Sequence, residues 1–127
     1  MKTVLLFAAL FVSSQSLLAQ SSGWDMNKLK TYYMVFLKKG PSRDQDAETA
    51  GKIQEARLAY LKSLFDAGKI SLNGPFLDEG EILGISVYDV ATLDEARELA
   101  SNDPAVKAGR LVVEIRQWMT FRDTGLK

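Results

Sequence analysis

Two residues, Arg57 and Asp103, hold most of the chemistry this sequence offers. Arg57 sits in "IQEARLAYLKSLF", residues 53–65. Stepped at the helical period, Ile53, Tyr60, Leu61, Leu64 and Phe65 share one face, and Arg57 falls inside it. Three readings of a guanidinium there stand side by side. It snorkels to solvent, pairs with a buried carboxylate, or faces a pocket and grips an anion with its planar fork. With a pKa above about 12 it is no general base, although it can stabilise an oxyanion. Asp103 precedes Pro104, the arrangement of an N-cap followed by proline at the first helical position. One of its oxygens can cap while the other meets Arg57. Such a pair suits binding or structure better than proton transfer.

Other candidates carry less. Tyr60 lies one turn beyond Arg57 on the same face, where core packing and ligand contact are both open. Gly74-Pro75 lets backbone approach a ligand closely, or marks a bulge. Trp118 either lines the pocket or caps the last strand. Asp78, Glu79 and Glu81 match no calcium loop and read as a hairpin tip. No cofactor and no metal site is expected. The chain has no cysteine and no histidine, which removes thiol nucleophiles, disulfides, His-based triads and thiolate or imidazole zinc sites. Acid–base work falls to carboxylates, Lys or Tyr.

The elements that must place these residues fit one domain. The 127 residues are 46% hydrophobic and 25% charged, an ordinary globular balance. Sixteen basic residues face sixteen acidic ones, so nothing electrostatic argues for nucleic acid. "MKTVLLFAALFVSSQSLLAQ" reads as a secretory signal cleaved after Ala19, too short in its apolar core to span a membrane. The expected parts are a signal peptide at 1–19, a flexible lead at 20–30, a domain at 31–121 and a frayed tail at 122–127. Cleavage removes Lys2 alone among the charges and leaves 15 basic against 16 acidic residues. The mature protein is then secreted or periplasmic and not membrane-bound.

Along the domain, "TYYMVFL" at 31–37 reads as a central strand, apolar on both parities. A polar loop leads to a helix from about 47 to 66, closed by Gly68. Strands at 69–77 and 81–90 flank a hairpin tip at 78–80. Thr92 and Glu95 form a capping box for a second helix, 102–109 is a short helical turn, and 110–121 is the last strand. The order β-α-β-β-α-β is ferredoxin-like: an α+β fold with two helices on one face of a four-stranded antiparallel sheet. The other face, with apolar residues from 31–37 and 110–118, needs cover, most simply from a second copy in a two-fold homodimer.

"YYMVFLKKGP", "RLAYLKSLFDAGKISLNGPFLDEGE" and "DPAVKAGRLVVEIRQW" resemble the YCII-related family of dimeric α+β-barrel proteins. The resemblance covers nearly the whole chain from about Tyr32 to Trp118. Gly74-Pro75 and the Asp-Pro-x-x-x-x-Gly run at 103–109 are its most specific pieces. It implies a homodimer and a pocket between sheet and helices. Many relatives carry a histidine on the first helix and an aspartate in the Asp-Pro motif, regarded as a catalytic pair. The aspartate corresponds to Asp103, and Arg57 stands at the histidine's place.

Two functions follow as expectations. The first is an exported module that binds a small anionic or aromatic molecule, with Arg57, Tyr60, Gly74 and Pro75 around it and without His-Asp chemistry. The alternative is a cofactor-independent lyase or isomerase, in which Asp103 is the catalytic base and Arg57 stabilises an oxyanion.

Overall fold

The computed structural model describes residues 23–127, so the expected leader at 1–19 lies outside the described residues. The described residues divide into two compact units, one of residues 31–118 and one formed by the described segments before 31 and after 118. The elements are β1 (Leu29–Lys39), α1 (Ala47–Asp66), β2 (Ile70–Pro75), β3 (Ile82–Tyr88), α2 (Leu93–Ser101), α3 (Pro104–Lys107) and β4 (Leu111–Phe121). The sheet order is β2-β3-β1-β4, with β3 antiparallel to both β1 and β2. This is the ferredoxin-like α+β arrangement, with α3 as a short third helix. Pro75, which has no N–H to donate, ends an edge strand, where that lack is tolerated.

Alternation along β1 sorts its side chains onto two faces. Tyr33, Val35 and Leu37 join the core with Leu61 and Leu64 of α1, Ala96 and Ala100 of α2, Ala105 of α3 and Leu111 of β4. Fully burying a leucine such as Leu61 or Leu64 stabilises by about 1.5–3 kcal/mol. Alanine at 96 and 100, both essentially inaccessible, lets α2 pack closely. Tyr32, Met34 and Phe36 alternate to the opposite face. There the rings of Tyr32 and Trp118 lie 6.4 Å apart, and Val112 and Trp118 stay exposed.

The helix boundaries have local causes. Asp46 caps α1 by accepting from Thr49 N at 2.7 Å. Gly68 takes the left-handed conformation, φ 73°, just past its end. Thr92 caps α2 by accepting from Glu95 N. Glu95 turns back to Ala91 N at 3.4 Å, a loose version of the reciprocal bond in a capping box.

Three details lie outside the sequence reading. Within the expected lead, Asp25 caps a 3-10 turn at Met26–Lys28, and β1 begins at Leu29. The tail is partly tied, since Arg122 N donates to Lys28 O and Thr124 N to Phe121 O. Phe65 is 52% exposed. It lies about 90° around α1 from the centre of the buried stripe, so it falls at the stripe's edge.

Candidate functional site

Arg57 lies near the centre of the buried stripe of α1, and that phase aims it inward. Its Nε donates to Asp103 Oδ2 at 2.9 Å. The side chains of this pair are 13% and 3% exposed. The other oxygen, Oδ1, accepts from Ala105 N at 2.8 Å and caps α3, with Pro104 at its first position. One carboxylate therefore caps one helix and anchors another. A buried charge paired and capped in this way avoids the cost of lying unmatched in the interior.

A cavity of about 310 Å³ opens beside the pair, between α1, the β2–β3 hairpin and the start of β4. Leu37, Leu83 and Leu111 make apolar wall, Gly74 and Pro75 line its β2 side, and Arg57 borders it. Arg43 and Arg110 also border it, as do the neutral polar residues Gln54 and Asn73. Asp103 is not among the lining residues. Its buried carboxylate lies behind Arg57, with each oxygen engaged.

Tyr60 does not reach the cavity. Its hydroxyl donates to Leu99 O at 2.8 Å and ties α1 to α2. Burial, then the charges of Asp103 and Glu98, hold its phenol above the ordinary tyrosine range. The phase that turns Tyr60 inward brings its hydroxyl to a neighbouring helix. Trp118 lies on the far face of the sheet, against Tyr32. Buried Tyr88 on β3 was not singled out from sequence. Its phenol is pushed up by burial first, then by Tyr60 and Asp103, while Arg57 acts the other way. It stays a neutral phenol at physiological pH.

Glycine makes the cavity's walls possible at two places. A Cβ on Gly84 of β3 would come within 2.6 Å of Gly74 O, so the hairpin's close approach requires glycine there. A Cβ on Gly40 would lie 2.1 Å from Gly109 O. At that crossing Gly40 N donates to Arg110 O, and Ser42 N to Gly109 O, both at 2.9 Å. The loop after β1 is thereby pinned to the start of β4, which brings Arg43 to the cavity. No pattern in the sequence marked Arg43 or Arg110. Arg43 sits in a polar loop that reads as solvated surface, Arg110 reads only as the first residue of the last strand, and 67 positions separate them.

Among known proteins, the YCII-related domain profile matches residues 31–119. No curated protein is matched by the chain. Among solved structures, the chain is similar to 5-chloro-2-hydroxyhydroquinone dehydrochlorinase, TftG, from Burkholderia phenoliruptrix AC1100, in complex with 2,5-dihydroxybenzoquinone. The TM-score is 0.54 at 25% identity, over 68% of this chain and 92% of that one.

Proposed function

The chain belongs to the YCII-related family, and from that premise we propose that it binds a small, flat, acidic molecule in the cavity beside Arg57. One observation carries the reading: a cavity of about 310 Å³ with apolar wall is bordered by guanidinium groups and, among the described residues, by no carboxylate. That volume lies at the small end of the roughly 300–1,000 Å³ common for ligand sites and suits a single ring. The similar dehydrochlorinase, in complex with a dihydroxyquinone, supports the same ligand class. A hydroxyquinone is a vinylogous carboxylic acid, ionised near neutrality, with its charge spread in the ring plane.

Titration of the purified chain with 2,5-dihydroxybenzoquinone, followed by calorimetry, tests the proposal. Saturable binding at one site per subunit is expected, together with a rise in melting temperature as ligand stabilises the folded state. Absence of both a binding heat and a thermal shift at millimolar ligand would exclude the proposal.

A second reading, a cofactor-independent lyase or isomerase, is favoured by the dehydrochlorinase activity named for the similar protein. In it Arg57 stabilises an enolate, and Asp103 acts by holding Arg57 in place, since Asp103 does not line the cavity. We place Arg57 where relatives carry a histidine. Restoring a side chain that titrates near neutrality, by Arg57→His, then adds up to about 10²–10⁴ in rate if proton transfer is the missing step. Halide release from chlorinated hydroxyhydroquinones by wild type and by the Arg57→His variant separates the two readings; silence from both leaves a binding module.

Export and pairing complete the proposal. The charged start, short apolar core and Ala19 boundary of residues 1–19 support cleavage and a secreted or periplasmic mature chain. N-terminal sequencing of the exported protein would find Gln20 first. The apolar sheet face with Tyr32, Phe36, Val112 and Trp118 supports a two-fold dimer. Sedimentation showing a monomer at micromolar concentration would rule that out.

A further inference from the structure

We infer that the acid group of the ligand is held by Arg43 and Arg110, and that Arg57 supplies the wall beside it. This rests on the cavity reading above and specifies which charges do the binding. The three arginines that border the cavity differ in what already occupies them. Arg57 gives its Nε to Asp103, so its charge is balanced within the protein. Arg43 and Arg110 form no ion pair with a carboxylate among the described residues. The bond made by Arg43 runs from Nη1 to the carbonyl oxygen of Arg110, at 2.5 Å. The bond made by the Arg110 guanidinium runs from Nη1 to Gln45 Oε1, at 2.7 Å. Both acceptors are neutral.

Neutral acceptors fix a guanidinium without cancelling its charge. Gln45 is itself tethered, with Nε2 donating to Ser42 O at 3.1 Å and more weakly to Ala108 O at 3.4 Å. The Gly40–Arg110 and Ser42–Gly109 backbone bonds hold the loop from behind. Each arginine keeps Nε and Nη2 without a partner among the described residues. Two oriented cations, with donor edges unspent and apolar wall next to them, form a receptor organised before its ligand arrives. A structural role for these arginines would bring a carboxylate to at least one of them, as happens at Arg57.

The chemistry specifies the ligand. A guanidinium fork matches two oxygens in one plane, and Leu37, Leu83, Leu111 and Pro75 offer only apolar contact. The class is therefore a one-ring acid with coplanar oxygens, either an aryl carboxylate or a hydroxyquinone enolate. Gln54 and Asn73, neutral and at the same cavity, suit the ring's other oxygens.

The experiment is calorimetry on the full chain with four probes. These are benzoate, 2,5-dihydroxybenzoquinone, and the neutral counterparts benzamide and 2,5-dimethoxybenzoquinone. Wild type should bind at least one acid about tenfold or more tightly than its neutral counterpart. Arg43→Gln and Arg110→Gln should each lower that acid's affinity about tenfold, the worth of a charge-assisted hydrogen bond. They should leave the neutral probes unchanged. Lys62→Gln, on an exposed residue of α1, should have no effect. Preference for benzoate identifies a carboxylate site, and preference for the quinone an enolate site. Acid and neutral probes bound equally, or acids bound equally by wild type and both arginine variants, would overturn the inference and leave the cavity reading intact. No binding of any probe by wild type would remove both. Should Arg110→Gln fail to fold, Arg43→Gln decides alone, because Arg43 is exposed.

Discussion

The cavity's arginines live under two regimes. Arg57 is nearly buried, bonded to a carboxylate that also starts a helix, and placed by the phase of a long helix. Arg43 and Arg110 stand nearer to solvent, held by a carbonyl and an amide, and meet through a backbone crossing. The same functional group is thus committed to the fold in one place and left available in the other. What separates them is the partner: a carboxylate consumes the charge, and a neutral acceptor only aims it.

The largest expected effect breaks the committed half. Arg57→Leu leaves the Asp103 carboxylate buried and unpaired and should cost about 3–5 kcal/mol in urea unfolding. Asp103→Asn keeps a capping oxygen and frees Arg57 to reach water, so about 1–3 kcal/mol is expected. Arg43→Ala, by contrast, should stay within about 0.5 kcal/mol of wild type. Comparable losses at 57 and 43 would erase the contrast.

Gly40→Ala attacks the crossing that brings the available pair together. Its Cβ would meet Gly109 O at 2.1 Å, so the backbone must shift, at about 1–3 kcal/mol. Probe affinity should fall with stability, and unchanged affinity would detach the crossing from the site. Tyr60→Phe removes one hydrogen bond to Leu99 O and should cost about 1 kcal/mol without touching binding. A loss of binding there would restore Tyr60 to the ligand's surroundings.

The smallest effect is a pH dependence away from the cavity. The hydrogen bond from Lys69 is the first cause that lowers the Glu95 pKa from 4.5, and the loose bond from Ala91 N adds to it. A carboxylate depressed in the folded state stabilises above its unfolded pKa and loses that contribution as pH falls through the folded value. The melting-temperature gap between wild type and Glu95→Gln should therefore be present at pH 6 and shrink as the pH falls below the ordinary value of 4.5. A gap that persists at low pH would assign it to packing.

The β-α-β-β-α-β order is legible because each boundary has local chemistry: Gly68 after α1, Thr92 before α2, Asp103-Pro104 before α3. Arg57 and Asp103 are legible for the same reason, one through helical phase and the other through its cap. Tyr60 shows the limit of phase, since one inward direction leads both to a cavity and to a neighbouring helix. Arg43 and Arg110 escape a linear reading because their meeting depends on glycine at 40 permitting a backbone crossing. Ser86, buried with a hydroxyl that has no partner among the described residues, is likewise silent in sequence, where serine on a strand reads as surface.

The double duty of Asp103 narrows what evolution can try at position 57. Any replacement must bring an N–H or O–H donor to Oδ2 or strand an anion in the interior. A saturation library at this codon, selected only for folded protein, should thus be enriched in donors of sufficient reach, such as lysine, histidine and glutamine. It should be depleted in aliphatics of equal size. Drift between one donor and another can then alter the chemistry on offer at the cavity while the scaffold survives each step.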